Sequence, residues 1–355
     1  MSSEESSRLQ KRVPGLQLPE PKDVVAQLAK AALATAFRAA RPESRERFEQ
    51  EPDRTVLRRL YYAADDGWQA PMFRLDAPPG ATGEPVIVAH GLGVNRFSVD
   101  YGPNLSLARA IRDAGFEVFL LEHRGDPNAL APPRSRAFDF DDIATRDVPA
   151  ALDQVRDETG FRKVLYVGHA MGGQLLYAHL AHSRGDDVAA AVTLCAAVEF
   201  QRDERRRLAV LRALMPGRWS LPTHLASLLA APRTGGTGGV SGELRRGLMV
   251  HGSEDISLGV ARQALVWLEA GVLCDRDNRL DYVEALAGVD VPTLVVAASD
   301  DETHPPERCV TVLDQLPGEL QVVDGGHLAP LLGESRHDAW GHVVRWLEQH
   351  RRACW

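Results

Sequence analysis

A tight turn flanked by glycines carries the clearest chemical pattern in the sequence, and alanine stands at its centre. A short apolar run leads into Gly168, His169, Ala170, Met171 and Gly172, and a helical stretch follows. This context is typical of a turn that lifts a nucleophilic side chain out at the end of a strand. The flanking glycines are needed because side chains there would clash in so tight a turn. The methyl group of Ala170 can neither attack a carbonyl nor be deprotonated, and the neighbouring side chains point elsewhere, so no acyl-enzyme can form at this position.

A second loop with glycines could stabilise a developing negative charge beside that turn. It directly follows a short apolar run and consists of His90, Gly91, Leu92 and Gly93. The glycines allow the backbone to fold toward the turn. On this pattern the backbone N–H groups of Leu92 and Met171 are the expected donors of an oxyanion hole. We expect the His90 side chain to orient the loop rather than to take part in catalysis.

A pair of carboxylates could supply the acid of an acid–base pair. Asp300 and Asp301 come just after the apolar run 291–298. They therefore lie past the carboxyl end of a predicted strand, where functional groups of parallel sheets gather. Segment 251–255 is locally similar and also contains acidic residues. It lies in the middle of the inserted region described below, however, and it is followed neither by a strand nor by a histidine at a suitable spacing.

A histidine on a flexible loop could supply the base. Two glycines precede His327, and the loop directly follows the apolar run 319–323. Such a loop can bring an imidazole back to both Ala170 and the aspartates, within the reach that proton transfer requires. We assign no role to three histidines without comparable context, His304, His337 and His342.

An alternation of strands and helices must position these loops. Strands are predicted at residues 55–63, 71–75, 86–89, 118–121, 164–167, 190–194, 293–297 and 319–323. Helices are predicted at residues 23–41, 105–114, 145–158, 171–182, 307–316 and 337–351. The central strands are short continuous apolar runs, as expected for strands that are buried on both faces. The alternation therefore predicts an α/β fold with a mostly parallel sheet and right-handed crossovers.

The alternation is interrupted once, which suggests an insertion into a single sheet domain. Residues 1–54 form a polar tail and a helix, and residues 55–198 form the first part of the core. Residues 199–289 are rich in Arg, Leu, Pro and Gly, mostly helical, and include a glycine-rich flexible stretch. We interpret them as a cap, after which residues 290–355 complete the core.

The motifs and their order resemble those of a known superfamily. From about residue 55 to residue 346 the chain is similar to the α/β-hydrolases of the esterase, lipase and acyltransferase type. Residues 104–109 and 115–119 are similar to acid-lipase-like proteins and to polyhydroxyalkanoate synthases, and residues 197–200 to the synthases. The synthases carry cysteine at the nucleophile position, so Ala170 departs from both groups. The resemblance implies an α/β-hydrolase fold with about eight strands and a helical cap, and substrates that contain an acyl ester or thioester.

The resemblance also implies which residues would act. In this superfamily the acid lies three positions beyond a small residue that ends a strand. Ala298 is that residue here, which makes Asp301 the acid and Asp300 the second choice. His327 is then the base, since nucleophile, acid and histidine follow one another along such chains. The resemblance implies no metal and no cofactor.

Three hypotheses explain the alanine. In the first, Ala170 is an engineered replacement of a catalytic serine. In the second, His327 and Asp301 act as a non-covalent dyad, as in the lyases and cofactor-free oxygenases of this fold, while the oxyanion hole stabilises an enolate or alkoxide. In the third, the protein is a catalytically dead pseudoenzyme that binds a ligand in its capped pocket. Long-standing loss of function should have allowed His327 and Asp301 to drift, which argues against the third hypothesis.

The composition is that of a soluble globular protein and argues against nucleic-acid binding. Of 355 residues, 44% are hydrophobic and 25% are charged. The formal net charge is -8, from 41 Lys and Arg against 49 Asp and Glu. The arginines are scattered among acidic residues rather than gathered into a stripe. We therefore expect a small-molecule acyl substrate or ligand as the partner.

The cysteines and the N-terminal region indicate a cytoplasmic protein. The four cysteines are far apart in the sequence and form no metal-binding motif, namely Cys195, Cys274, Cys309 and Cys354. A reducing compartment fits them, and two disulfides are the alternative. The first residues lack the apolar core of a signal peptide. The apolar stretch 24–40 is interrupted by Gln27, Lys30 and Arg38, which makes it too polar to span a bilayer. We expect it to form an amphipathic helix that packs on the body or contacts a second copy in a homodimer.

Overall fold

An eight-stranded sheet forms the centre of the fold. The computed structural model describes residues 57–132, 137–200 and 239–355. The strands are β1 (Arg58–Ala63), β2 (Gln69–Leu75), β3 (Pro85–Ala89), β4 (Asp100–Gly102), β5 (Leu105–Ser106), β6 (Glu117–Leu121), β7 (Val164–His169), β8 (Val188–Leu194), β9 (Thr293–Ala298) and β10 (Gly318–Val323). The order across the large sheet is β1-β2-β6-β3-β7-β8-β9-β10, and β4 and β5 form a separate small hairpin.

The large sheet is mostly parallel, as the sequence predicted. β1 and β2 are antiparallel to each other, and β2 is antiparallel to β6. The six strands from β6 to β10 in the sheet order all run parallel. The carboxyl ends of these six strands therefore meet at one edge, where the loops after β3, β7, β9 and β10 lie close together. The predicted fold class is confirmed.

Helices cover both faces of the sheet. They are α1 (Leu107–Asp113), α2 (Val148–Thr159), α3 (Met171–Ser183), α4 (Gly242–His251), α5 (Leu258–Ala270) and α6 (Arg336–His350). Shorter helical turns are Arg96–Ser98, Phe140–Asp142, Ile143–Asp147, Glu284–Leu286, Pro306–Cys309, Val310–Asp314, Ala329–Leu332 and Arg351–Cys354.

The strands at the centre are buried because both of their faces pack against helices. Ile87 and Ala89 of β3 belong to a core with side chains of α2, α3 and α5. Val86 and Val88, on the opposite face of the same strand, pack with side chains of α1, α4 and α6. Since successive side chains of a strand point to opposite faces, a continuous apolar run satisfies both cores.

Several predicted elements have different bounds. Residues 105 and 106, predicted as helix, form β5 instead, and Ser106 caps α1 by accepting the N–H of Arg109. Residues 307–316, predicted as one helix, form the turn Pro306–Cys309 and a 3-10 helix. Helical structure before α2 begins already at Phe140, because Asp139 and Asp142 form a capping box there.

Part of the predicted insertion lies outside the described residues. Of residues 199–289, the structure describes 199–200 and 239–289, which include α4 and α5. The predicted helix 23–41 and the glycine-rich stretch 234–239 lie outside the described residues, except for Gly239. The division into core and cap stays a prediction. In the described part of the chain, no helix has the length and apolar character needed to cross a membrane.

Candidate active site

The turn between β7 and α3 holds Ala170 in a strained conformation. Its φ is 48° and its ψ is -114°, a region that residues other than glycine rarely adopt. Its backbone N–H donates to the carbonyl oxygen of Leu194 at 2.9 Å, and its own carbonyl accepts from Gly173 and Gln174. The turn is thus fixed from both sides. The structure places Ala170 at the carboxyl edge of the sheet, where the motif predicts the nucleophile.

Two glycines of the turn are required by close backbone contacts. A Cβ atom on Gly168 would lie 2.5 Å from the backbone of Gly172. A Cβ atom on Gly172 would lie 2.8 Å from the carbonyl oxygen of His90 and closer still to that of Ala89. No side chain fits at these distances, because real Cβ atoms do not approach backbone atoms so closely. The loop after β3 and the turn at Ala170 can therefore pack together only through these glycines.

The loop after β3 lies against Ala170, as the oxyanion-hole prediction requires. A Cβ atom on Gly91 would be 3.3 Å from that of Ala170, and Gly93 has a positive φ of 71°. Leu92 and Met171 line the same cleft. Met171 is the first residue of α3, and backbone N–H groups in the first helical turn have no partner within their helix. The assignment of Leu92 and Met171 as oxyanion donors stays a prediction that this arrangement supports.

His90 is fixed between two acceptors. Its Nε2 lies 2.9 Å from a carboxylate oxygen of Glu122, and its Nδ1 lies 2.9 Å from the carbonyl oxygen of Gly91. A proton on both nitrogens lets Nδ1 donate to Gly91 while Nε2 faces the Glu122 carboxylate, which favours the imidazolium form. Burial opposes that charge, but Glu122 raises the pKa of His90 overall. The side chain therefore braces the loop after β3, in keeping with the orienting role we expected.

Asp301 and His327 form a hydrogen-bonded pair at the same edge of the sheet. The Nδ1 of His327 donates to Asp301 at 2.7 Å. The other carboxylate oxygen accepts the backbone N–H groups of Thr303 and His304, each at 2.9 Å. Burial alone would raise the pKa of Asp301, but the hydrogen bond and charge of His327 hold it well below its usual range. Asp300, the second choice for the acid, is exposed and is not paired with His327.

Two further histidines contact His327, and the sequence analysis missed both. The Nε2 of His169 donates to the carbonyl oxygen of His327 at 3.0 Å, and the two rings are 4.7 Å apart. The ring of His304 stands perpendicular to that of His327 at 4.9 Å, and its Nδ1 donates to the carbonyl oxygen of Cys195. Our view that His304 lacks context was wrong: it lies three residues after Asp301, on the same loop, and that spacing was the available signal.

Both neighbours of His327 are neutral. Burial, and then the charge of His327, lowers the pKa of His169 to about 3. The same two causes lower the pKa of His304 to about 4. His327 is consequently flanked by uncharged rings, while the carboxylate that accepts from it in the described residues is that of Asp301. This arrangement positions one imidazole and leaves its Nε2 side available for proton transfer.

One cluster near this pair has the residue types of a metal site. Ligand atoms of His169, Cys195 and His327 lie within 4.8 Å of one another. Each histidine uses one nitrogen in a hydrogen bond, Nδ1 of His327 to Asp301 and Nε2 of His169 to the carbonyl of His327, and keeps the other nitrogen. Burial and the charge of Asp301, however, raise the pKa of Cys195 well above its usual value, which favours the protonated thiol. A metal ion binds the thiolate, so this donor set fits one poorly.

The competing acidic segment 251–255 serves the loop after β3 rather than His327. The backbone N–H of Glu254 donates to Gly93 at 3.0 Å, and that of Asn95 donates to Gly252 at 2.9 Å. The Asn95 side chain also donates to the Glu254 carboxylate at 2.9 Å. The segment therefore forms a wall of the cleft beside the predicted oxyanion hole.

Comparisons with known proteins identify the family. The family model of the alpha/beta hydrolase fold matches residues 84–334. Lipase lipl-3 of Caenorhabditis elegans is 32% identical over 139 residues, which are 34% of this chain and 33% of that protein. Human gastric triacylglycerol lipase is 38% identical over 103 residues, which are 26% of each chain. The chain thus matches about a third or less of the length of these relatives.

Solved structures agree with the fold. The structure of DcsB with its substrate analogue aligns with a TM-score of 0.62 at 19% identity, and the alignment covers 84% of this chain and 100% of that chain. The esterase EaEST from Exiguobacterium antarcticum aligns with a TM-score of 0.58 at 18% identity, covering 81% of this chain and 98% of that chain. At such low identity these likenesses carry information on the fold alone.

Proposed function

The chain belongs to the alpha/beta hydrolase fold family, and on that premise we propose that its site binds an acyl ester or thioester but forms no acyl-enzyme. The observation that carries the proposal is the strained turn at Ala170, which lies against the loop after β3, at the sheet edge that holds the Asp301–His327 pair. A residue other than glycine in this conformation costs on the order of 1–3 kcal/mol. Such strain is useful where a side chain must be presented to a substrate.

Each residue has a role in the proposal. The N–H groups of Leu92 and Met171 would receive the carbonyl oxygen as it gains negative charge. His327 would accept the proton of an attacking hydroxyl, and Asp301 would hold the imidazole in the tautomer that can do so. With alanine at position 170 the chain offers no hydroxyl there, so the acyl group stays on the substrate.

The proposal is tested by Ala170→Ser. We expect the serine variant to react with a fluorophosphonate probe and to hydrolyse a simple aryl ester, because the other parts of the site are present. The control is the double variant Ala170→Ser/His327→Ala, which should react with the probe and hydrolyse the ester much more slowly than the single serine variant. A well-folded serine variant that neither reacts nor hydrolyses would refute the proposal. A serine codon at position 170 in the source gene would support the engineered origin of the alanine.

A second candidate function is general-base catalysis without a covalent step. It is favoured by the Asp301–His327 pair, in which both oxygens of Asp301 and Nδ1 of His327 have hydrogen-bond partners although no nucleophile is present. A metabolite screen of the chain with Ala170, followed by His327→Ala on any hit, tests it. Loss of turnover by about 10²–10⁴-fold would support the dyad. When the nucleophile is missing, the oxyanion hole and substrate binding alone still accelerate the reaction ~10³–10⁴-fold over the rate in water. Only a turnover rate above that level would therefore support general-base catalysis. Binding without turnover in both proteins would favour a pseudoenzyme.

A further inference from the structure

Two segments that are far apart in the sequence pair beside the predicted oxyanion hole. The loop after β3 runs alongside the segment 251–255, which lies between α4 and α5 in the predicted insertion. Val94 forms an antiparallel β-bridge with Ser253. The two backbone hydrogen bonds described above, at 3.0 and 2.9 Å, flank this bridge. The chain directly after Leu92 is therefore held by backbone pairing with the predicted insertion.

The side chain of Asn95 adds a second attachment between the same segments. Its Nδ2 donates to the Glu254 carboxylate at 2.9 Å and to the carbonyl oxygen of His251 at 3.2 Å. Its Oδ1 accepts the backbone N–H of Phe97 at 3.1 Å. The reversed amide would place its oxygen against two acceptors, so the orientation of this buried side chain follows from its partners.

Glu122 attaches both ends of the same loop to the core. One of its carboxylate oxygens accepts the backbone N–H of Arg96 at 3.0 Å, and the other lies 2.9 Å from Nε2 of His90. Leu92 lies in the chain between His90 and the residues that pair with segment 251–255. Its position therefore depends on the core at one side and on the predicted insertion at the other.

The position of Leu92 matters because a donor to an oxyanion must be placed accurately. Such a donor acts at about 2.7–3.1 Å from the oxygen, and a misplacement of about 1 Å can cost ~10²-fold in rate. Gly93, the next residue, has a positive φ of 71°, and its carbonyl oxygen accepts the N–H of Glu254. A shift of this carbonyl would carry the neighbouring peptide of Leu92 with it.

We propose that Asn95 and Glu254 are positioning residues of the oxyanion hole. Through them the predicted insertion would hold the N–H of Leu92 toward the carbonyl oxygen of the substrate. Neither side chain would touch the substrate, and both would act through the backbone of the loop after β3. The inference deepens the proposed function and rests on it, because it concerns the same oxyanion hole.

The test exchanges donor and acceptor between the two side chains in the Ala170→Ser background. Asn95→Asp keeps the oxygen that accepts from Phe97 but sets a carboxylate against that of Glu254. We expect kcat for an aryl ester to fall by roughly tenfold with KM nearly unchanged, less than the ~10²–10³-fold that loss of an oxyanion donor costs. Glu254→Gln keeps an acceptor oxygen and should change kcat little.

The double variant Asn95→Asp/Glu254→Gln restores a hydrogen bond with its direction reversed, because the glutamine amide can donate to the aspartate. It should recover part of the lost kcat, which a general loss of stability would not predict. The matched control is Glu284→Gln, an exposed carboxylate of the same predicted insertion, which should leave kcat unchanged. The inference is overturned if Asn95→Asp retains kcat, if it changes KM alone, or if the double variant recovers nothing.

A second readout separates this inference from the proposed function. If Ala170→Ser neither reacts with a fluorophosphonate nor hydrolyses the ester, the proposed function fails. Hydrogen–deuterium exchange of the chain with Ala170 then still tests the attachment. Asn95→Asp should speed the exchange of the amides in residues 91–95, since their pairing with the segment 251–255 is weakened. Unchanged exchange there would overturn the inference.

Discussion

The two sides of the site differ in how their polar groups are satisfied. On the base side, both oxygens of Asp301 and the carbonyl of His327 have partners, and His169 and His304 are each held by one hydrogen bond, although Nδ1 of His169 has no partner. On the cleft side, His123 has no hydrogen-bond partner of good geometry, and hydrogen bonds hold the backbone of the loop after β3 instead. Groups that perform chemistry must be held in place before the substrate arrives, and here these are an imidazole on one side and the predicted N–H donors on the other.

The largest expected effect tests whether the base side works as a unit. In the Ala170→Ser background, Asp301→Asn should lower kcat for an aryl ester by ~10³–10⁴-fold, because an amide holds the imidazole in the wrong tautomer. Steady-state kinetics measure this. The matched control is Asp300→Asn, whose exposed side chain is not paired with His327 and whose replacement should change little. Equal losses in both variants would contradict the assignment of the acid.

The next largest effect concerns the boundary that the two sides share. Gly172→Ala would place a Cβ against the carbonyl oxygens of Ala89 and His90, so the loop after β3 must move. We expect the free energy of unfolding in urea to fall by about 3 kcal/mol, the upper range for overpacking. Gly242→Ala is the control, because nothing lies within 4 Å of its Cβ position. A Gly172→Ala protein as stable as this control would show that the two loops are not in contact.

Local signals made part of this site predictable from the sequence. Glycine spacing located the turn at Ala170 and the loop after β3, because close backbone contacts leave no choice of residue there. The order of apolar runs predicted the parallel sheet, since strands buried on both faces need continuous apolar sequence. These features depend on neighbours in the chain, which a single sequence displays.

Contacts between distant segments could not be predicted in the same way. Nothing local indicates that the backbone N–H of Glu254 donates to Gly93, or that the ring of His123 lies 4.4 Å from that of His90. The segment 251–255 was judged by its resemblance to an acid loop, whereas its role follows from β-bridge pairing with Val94. The individual site assignments stay predictions until the variants above are measured.

A smaller effect is expected on the free energy of unfolding when one buried histidine from each side is replaced by leucine. His169→Leu removes the donor to the His327 carbonyl, which leaves that acceptor unpaired, and should cost about 1–3 kcal/mol of unfolding free energy. His123→Leu removes a polar group that has no partner of good geometry and should be neutral or stabilising by about 1 kcal/mol. Urea unfolding at pH 8 measures both. Equal destabilisation by the two substitutions would mean that the two sides do not differ as described.

The smallest effect is a difference in sign between two histidines as the pH falls from 8 to 6. The folded-state pKa of His169, about 3, lies below the value of about 6.5 for an unfolded chain. Its contribution to stability is therefore present above pH 6.5 and is lost as the pH falls toward the folded-state pKa. The pKa of His90 is raised by Glu122 against the effect of burial. Its contribution is thus fully present below pH 6.5 and is lost as the pH rises through the raised value.

The difference in unfolding free energy between the parent chain and His169→Gln should narrow by about 1 kcal/mol as the pH falls from 8 to 6, because only the unfolded state takes up a proton at His169 over this interval. The gap to His90→Gln should widen over the same interval. Gaps that move in the same direction for His169 and His90 would mean that the two sides do not hold their histidines in opposite protonation states.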